Sequence, residues 1–251
     1  MPKCRISHIL GVAGFQPAYF MLKSVENQNM SDKKLKSEVY LNRRQPAGLY
    51  VHIPFCQTKC QYCGFYSEPI KNHDPQRLIS AIIAELGRYK PVNELCTVYI
   101  GGGSPSCLPT EQLLRLISEI TSWHGLPARE NTAKMAVLPL EFTIEVNPGQ
   151  VNKDILSQLH AAGINRLSIG AQSFNSDELT FLGRRHSVAD ISRAVQSAKD
   201  AGFENIGLDL IFAIPFCGTG FQPVKTRPGW PCHSILESWK HSLQSAIDLG
   251  V

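Results

Sequence analysis

The sequence lacks the features that mark several large classes of protein. No apolar run approaches the ~18 residues that a transmembrane helix needs. Charged residues make up only 18% of the 251 residues, the formal net charge is +4, and no basic stripe carries interleaved aromatic residues. We therefore expect neither a membrane span nor a nucleic-acid partner. The hydrophobic fraction of 43% is typical of a soluble globular protein.

The N-terminus also lacks a complete secretory signal. Its first 22 residues are largely apolar, but His8, Gln16 and Pro17 interrupt the stretch and no small-residue cleavage site follows. We therefore expect a cytoplasmic protein. In that reducing compartment, eight cysteines indicate metal binding or catalysis rather than disulfides.

From Leu49 onwards the chain alternates β-rich runs with helical stretches. We predict strands at 49–53, 97–101, 141–147, 166–172 and 205–214, and helices at 75–89, 110–122, 152–162, 188–201 and 234–249. Asp74 followed by proline, and Asn152, provide N-terminal signals for two helices, while Gly163 and Gly202 provide C-terminal signals. Strand–helix units of this length predict a parallel sheet with right-handed crossovers.

The faces of the predicted strands distinguish an open sheet from a barrel. In "EFTIEVN" (141–147), Glu145 and Asn147 lie on the face opposite Ile144 and Val146. Parallel strands covered by helices on both faces would be almost continuously apolar. We therefore predict an α/β fold, a partial β/α barrel, whose polar face lines a ligand cavity.

Two segments lie outside this alternation. Residues 1–46 have no clear period, and we predict that they form a poorly ordered N-terminal extension. Residues 47–251 form the predicted core, which includes a loop at 216–233 that is rich in proline and glycine.

Cys56, Cys60 and Cys63 form a C-x3-C-x2-C pattern after the first strand of the predicted barrel. Strand C-termini form the rim on which β/α barrels carry their chemistry. Thiolates bind zinc and iron–sulfur clusters, so a zinc site completed by His52 or His73, a four-iron cluster with one open iron, and unliganded thiols are the alternatives. Four other cysteines are too dispersed for a second site: Cys96, Cys107, Cys217 and Cys232.

A wider set of motifs resembles a known family. The cysteine pattern with Tyr62 before its last cysteine resembles the radical S-adenosylmethionine superfamily. Six ordered blocks resemble the signatures of its oxygen-independent coproporphyrinogen III oxidase group: "LYVHIPFC", "YIGGGSPSCL", "FTIEVNPG", "INRLSIGAQSF", "LGRRH" and "NIGLDLIFAIP". The resemblance covers roughly residues 47–215 and implies a barrel of the radical S-adenosylmethionine type, with about five of six strand–helix units present.

The resemblance also implies the cofactors. Cys56, Cys60 and Cys63 would hold a [4Fe-4S] cluster, whose open iron chelates S-adenosylmethionine and whose electron cleaves it to a 5′-deoxyadenosyl radical. The positions matching contacts to this cofactor are Tyr50, Tyr62, Gly103, Ser104 and Glu145. The positions matching a second S-adenosylmethionine are Gln172, Arg184 and Asp209. No catalytic residue is assigned.

The residues by themselves leave other interpretations open. The glycines of "GGGSP" could form a plain turn, although glycine also lets backbone approach a ligand closely. Glu145 could form an ion pair with Arg166 across the cavity, and Arg184 could be a solvated surface side chain. His186 is interpreted as structural.

Phe65 distinguishes the branches of the group. The oxidase has a fourth cysteine at this position, whereas phenylalanine resembles the heme chaperone (HemW) branch. That branch implies heme handling and delivery, with heme bound in a longer form, a hemoprotein client, a reductant protein, and membrane association only through the client. The alternatives are an oxidase performing oxidative decarboxylation in porphyrin biosynthesis and a non-catalytic cluster- or heme-binding module.

The last residues give a further expectation. We predict that Gly250 ends the final helix as its C-cap. Val251 would then occupy the position at which the family's sixth strand begins. The chain would then be truncated at its C-terminus, with an exposed strand edge that favours aggregation. We expect such a chain, expressed alone, to assemble a cluster poorly and to bind heme weakly.

Overall fold

The computed structural model describes residues 5–10, 47–89, 95–124, 141–214 and 232–251. Most of the predicted extension and the loop from 215 to 231 lie outside the described residues. The domain boundaries therefore stay predictions.

Six parallel strands form one sheet, in which they lie side by side in the order in which they occur along the chain. These strands are Arg5–Leu10 (β1), Ala47–Ile53 (β2), Leu95–Gly102 (β5), Glu141–Val146 (β6), Arg166–Gln172 (β7) and Asn205–Leu210 (β8). A separate two-residue ladder joins Phe55–Cys56 (β3) to Glu68–Pro69 (β4). The α-helices are Pro75–Leu86 (α1), Thr110–His124 (α2), Lys153–Ala161 (α3), Ser176–Phe181 (α4), Val188–Asp200 (α5) and Cys232–Asp248 (α6).

The five predicted strands and five predicted helices are all present. The last strand ends at Leu210 rather than at 214, because the chain leaves the sheet in a bend and Ala213 adopts a positive φ of 56°. Besides the short ladder of β3 and β4, the strand β1 and the helix α4 were not predicted. β1 pairs with β2 through an irregular register, and α4 has only six residues, too few to show an amphipathic period.

The local signals at the helix ends are confirmed. The Asp74 side chain accepts hydrogen bonds from two backbone N–H groups in the first turn of α1, which begins with Pro75. Asn152 caps α3 in the same way. Gly163 and Gly202, with φ of 113° and 93°, follow α3 and α5, where a left-handed residue ends the helix at little steric cost.

The core lies on one face of the sheet. Its strand residues are fully or almost fully buried: Val51, Ile53, Val98, Ile100, Phe142, Ile144, Leu167 and Ile169. They pack against α1, α2, α3 and α5 through Ile79, Ile82, Leu116, Ile117, Leu156 and Val195. The opposite face carries polar and small residues, so the architecture is the predicted incomplete β/α barrel. Because every strand is parallel, all their C-terminal ends meet at one rim, and the cysteine loop follows β2 there.

The described helices are shorter than a helix that spans a bilayer. The longest, α6, has 17 residues, fewer than the roughly 20 needed to span the hydrocarbon core. Within the described ranges, no helix combines the length and apolarity of a membrane span.

Candidate functional site: a cysteine loop at the rim of a polar cavity

The cysteine loop is fastened at both ends. Cys56 belongs to β3, which pairs with β4, and the Glu68 N–H donates to the Pro54 carbonyl at 2.9 Å. Between these ends the Cys63 N–H donates to the Cys60 carbonyl at 3.2 Å, which closes a turn. All three thiols are half-buried. The fold therefore holds the three predicted ligands in one anchored loop.

The three thiols lie close enough together to influence one another's ionisation. Burial raises the pKa of the Cys56 thiol, and the nearby thiols of Cys63 and Cys60 raise it further. Among the described residues, no three His, Cys, Asp or Glu side chains converge as a single metal ion requires. An iron–sulfur cubane places each thiolate on a different iron, so its ligands need not converge on one point.

The two histidines that could complete a zinc site point to other partners. The hydroxyl of Tyr50 lies 3.1 Å from His52 Nδ1, and His52 Nε2 lies 3.1 Å from the Tyr66 carbonyl. His73 Nε2 lies 2.6 Å from Glu68 Oε2. Both rings are thus engaged away from the thiols, which disfavours the mononuclear zinc alternative.

Glu145 lies on the cavity face of β6 and is held by both oxygens. Tyr99 donates its hydroxyl to Oε1 at 2.7 Å, and the Gly102 backbone N–H donates to Oε2 at 3.0 Å. Burial raises the pKa of Glu145, and these two hydrogen bonds oppose the rise. The alternative ion pair with Arg166 is not formed, since Arg166 lies 4.0 Å from Glu141 instead.

Tyr50 extends this arrangement across the sheet. It is the register partner of Tyr99 on β5, and the two rings stack with centroids 5.8 Å apart. Burial raises the pKa of Tyr50 far above its usual value, and the Glu145 charge adds to the rise. Tyr50, Tyr99 and Glu145 therefore form a neutral-hydroxyl and carboxyl surface facing the cavity.

The structure gives Gly103 and Ser104 internal partners. A Cβ on Gly103 would lie 2.5 Å from the Phe55 carbonyl oxygen, so glycine is needed for contact with the strand that leads into the cysteine loop. The Ser104 N–H donates to that same carbonyl at 2.7 Å. The Ser104 hydroxyl is buried and donates to Gln150 Oε1 at 2.7 Å. Both residues brace the cysteine loop from behind.

Arg184 is not a solvated side chain. Its Nη2 donates to Asn147 Oδ1 at 2.5 Å and to the Gly170 carbonyl at 2.8 Å, and its Nη1 lies 3.9 Å from Cys60 Sγ. Gln172 ends β7 nearby, with a positive φ of 68°. The structure therefore brings Arg184, Gln172 and the cysteine loop together at the C-terminal end of β7.

The remaining predicted residues lie on β8, on the cysteine loop and just before α5. Asp209 is exposed on β8 and accepts the Ser168 hydroxyl at 3.0 and 3.1 Å from its two oxygens. Tyr62 is 43% exposed and Phe65 is 68% exposed on the cysteine loop. A side chain this exposed is open to a ligand or to a partner. His186 is buried and hydrogen-bonded to the Ala171 carbonyl, as expected of a structural residue.

Of the dispersed cysteines, the structure describes the Cys107 thiol. It donates to the Phe55 carbonyl at 3.4 Å, and burial raises its pKa to about 12. A thiol this weakly acidic is a poor ligand and a poor nucleophile. Cys4 and Cys217 lie outside the described residues.

Sequence reasoning missed the residues that connect the site. Asn147 Nδ2 donates to Ser104 Oγ at 2.6 Å while its Oδ1 accepts from Arg184. Tyr99 links Tyr50 to Glu145. Both residues lie on the polar faces that the alternating pattern predicts, so the sequence could have suggested them as site residues. Their partners lie on other segments of the chain, which the pattern does not identify.

Comparison with known proteins agrees with this geometry. The family model described as Radical SAM superfamily matches residues 50–216. The heme chaperone HemW of Lactococcus lactis is 37% identical over 183 residues, which cover 73% of this chain and 45% of that protein. HemW of Haemophilus influenzae is 36% identical over 178 residues, which cover 68% and 44%.

A solved structure shows the same fold. The coproporphyrinogen III oxidase HemN from Escherichia coli, described as a radical SAM enzyme, aligns with a TM-score of 0.63 and 28% identity. The alignment covers 81% of this chain and 42% of HemN. The chain thus spans less than half the length of these relatives. Because the family model matches well over half of the chain and the fold agrees, the chain belongs to the radical SAM superfamily.

Proposed function

We propose that the chain binds a [4Fe-4S] cluster through Cys56, Cys60 and Cys63 and binds S-adenosylmethionine in the adjoining polar cavity. The observation that carries this proposal is the anchored loop of three thiols at the rim, next to the polar sheet face that presents Glu145 and Tyr50. When bound, the cluster supplies the electron for reductive cleavage of S-adenosylmethionine.

The chain's own residues bind and orient in this proposal. Glu145 keeps acceptor capacity beyond its bonds to Tyr99 and Gly102, because a carboxylate offers about four acceptor sites. It accepts from the amine or ribose of the cofactor. Tyr50 and Tyr62 pack against the cofactor. At the glycine-rich strand end, Gly103 and Ser104 hold the cysteine loop in place. Gln172, Arg184 and Asp209 line the far side of the binding site.

We extend the proposal to heme handling in the cytoplasm. Its support is the similarity to two HemW proteins, which are named heme chaperones, at 36–37% identity. Because this chain covers less than half of each, the heme site, the hemoprotein client and the reductant protein belong to the proposal.

Anaerobic reconstitution with iron and sulfide tests the cluster. Although we expect the chain to acquire little cluster during expression alone, excess iron and sulfide should load it with about four irons per chain and give a broad brown absorption, both lost in Cys60→Ala. Cys107→Ala is the matched control, since this half-buried thiol lies outside the motif, and it should retain the iron. Stoichiometric zinc with no iron uptake in the wild-type chain would reject the proposal.

Cofactor cleavage separates a radical protein from a binding module. With dithionite and S-adenosylmethionine, the reconstituted protein should release 5′-deoxyadenosine, and Glu145→Gln should release less. An intact cluster that yields none would favour the non-catalytic module.

The oxidase is the second candidate, favoured by the fold shared with HemN at a TM-score of 0.63. Phe65 argues against it, because an exposed phenyl ring replaces the thiol expected in the oxidase motif. We therefore expect no conversion of coproporphyrinogen III to protoporphyrinogen IX. Turnover that depends on S-adenosylmethionine would make the oxidase the correct assignment.

A further inference from the structure

Arg184 joins three rim segments that are distant in sequence. It lies in the loop between α4 and α5, and its partners lie in the cysteine loop after β2, directly after β6 and within β7. Two neutral oxygens, Asn147 Oδ1 at 2.5 Å and the Gly170 carbonyl at 2.8 Å, fix one end of the guanidinium. The other end, Nη1, lies 3.9 Å from Cys60 Sγ. The side chain is thus held with one nitrogen directed at the cysteine loop.

The charge of this guanidinium has no counter-charge within the described part of the chain. No described carboxylate lies within 4.0 Å of it. Its Nε is buried and has no hydrogen-bond partner. A partly buried cation without a compensating anion is costly, so the arrangement calls for negative charge beside Cys60.

We propose that Arg184 is a positioning residue for the iron–sulfur cluster, which it stabilises by placing a fixed positive charge and an N–H donor beside the Cys60 sulfur. The inference rests on the proposed function, because the cluster supplies the missing negative charge. Net charge and hydrogen bonds to the sulfurs are among the factors that set cluster potentials. Arg184 should therefore favour the reduced, more negative cluster and raise its reduction potential.

This role differs from the one implied by family resemblance, in which Arg184 holds a second S-adenosylmethionine. The hydrogen bonds to Asn147 and Gly170 occupy Nη2 and leave Nη1 toward Cys60. Gly170 leaves room for this geometry. A Cβ there would lie 3.1 Å from Gln172 Nε2 and 3.3 Å from Asn147 Oδ1, so these side-chain ends would have to shift by a few tenths of an ångström.

The test is a redox titration of the reconstituted protein without S-adenosylmethionine, followed by EPR of the reduced cluster. Arg184→Gln removes the charge, and we expect the reduction equilibrium to shift about tenfold toward the oxidised form, which is 59 mV lower for one electron. Arg184→Lys should recover part of this shift. Arg185→Gln is the matched control, since Arg185 is an exposed neighbour with the same charge, and its potential should stay at the wild-type value.

The possible failures are distinguishable. A wild-type chain that takes up no iron overturns the proposed function and this inference with it. A loaded Arg184→Gln protein with the wild-type potential overturns this inference alone, and weakened S-adenosylmethionine binding in that variant would support the role implied by resemblance.

If Arg184→Gln does not retain iron, a second variant still tests the inference. Asn147→Asp keeps the arginine and adds a carboxylate against Nη2, which neutralises the charge. We then expect a lower potential in the loaded Asn147→Asp protein, and an unchanged potential would overturn the inference.

Discussion

The strands β6 and β8 share the same alternating pattern but differ in burial. On β6 the apolar residues Phe142, Ile144 and Val146 are at most 3% exposed. On β8 the corresponding residues, Ile206 and Leu208, are only half-buried. β6 is paired on both sides, whereas β8 pairs only with β7 among the described residues. The number of neighbouring strands, rather than the local pattern, decides how well a strand is buried.

The site follows the same division. The cysteine loop, Glu145 and Arg184 are held by the inner strands or by loops at their ends, where each side chain has partners from two or more segments. Asp209, the one predicted site residue on β8, is held by Ser168 alone among the bonds seen. We therefore expect the residues held by the inner strands to position a ligand more rigidly than Asp209 does.

The C-terminal helix, α6, is attached through its serines to the segment that follows β7, where Ser238 accepts the Asn175 side-chain amide at 3.3 Å. Ser242 accepts the Phe174 N–H at 2.9 Å, next to Ser173, which donates to the buried Glu178. On its outer side, α6 exposes Leu243 and Ile247, at 44% and 58%. The helix is thus anchored through buried polar contacts, while part of its apolar surface is left open.

The largest expected effect tests the burial difference directly. Leu167 on β7 is fully buried, whereas Leu208 on β8 is partly buried. Leu167→Ala should lower the free energy of unfolding by roughly 2–5 kcal/mol, and Leu208→Ala by less than half of that, because less surface and less cavity are involved. Urea unfolding under anaerobic conditions measures both, and equal losses would contradict the comparison.

The next effect depends on pH. Burial, followed by the Arg184 charge, lowers the pKa of His186 from 6.5 to about 4. Between these values the unfolded chain binds the proton and the folded chain does not, so stability is full above pH 6.5 and is lost as pH falls toward 4. At pH 4.5 the loss from this group is roughly 2–3 kcal/mol.

His186→Gln should remove that part of the acid destabilisation. Unfolding free energies at pH 7 and pH 4.5 are compared between the variant and the wild-type chain. His241→Gln is the control, because His241 is exposed on α6. A pH dependence that His186→Gln leaves unchanged would show that His186 is not the group responsible.

Much of the fold could be predicted because its signals are local. Alternation in 141–147 places Glu145 on the polar face, and Asp74 and Asn152 mark helix starts. The contacts of Arg184 could not be predicted in this way. Its partners Asn147 and Cys60 are 37 and 124 residues distant, and only the parallel arrangement of strands brings these segments to one rim.

A smaller effect tests the attachment of α6. Ser242→Ala leaves the buried Phe174 N–H without its acceptor, which should cost roughly 1–3 kcal/mol. Ser245→Ala is the matched control one turn away, since Ser245 bonds only to a carbonyl of its own helix, at 2.8 Å, and alanine is the better helix former. Thermal unfolding should separate the two variants, and equal midpoints would argue that the Ser242 contact is dispensable.

The smallest expected effect concerns backbone strain at the C-terminal ends of β7 and β8. Gln172 closes β7 and Ala213 follows β8, and both adopt positive φ, 68° and 56°. The left-handed conformation costs an ordinary residue roughly 1–2 kcal/mol, while glycine costs roughly 0.5–1 kcal/mol of backbone entropy on folding. Ala213→Gly should therefore stabilise the chain by up to about 1 kcal/mol, since its side chain is exposed. Gln172→Gly should gain less, because it also removes a side chain that packs near Gly170. Urea midpoints measure both changes. If Gln172→Gly stabilises the chain as much as Ala213→Gly or more, the Gln172 side chain contributes nothing to stability at the end of β7.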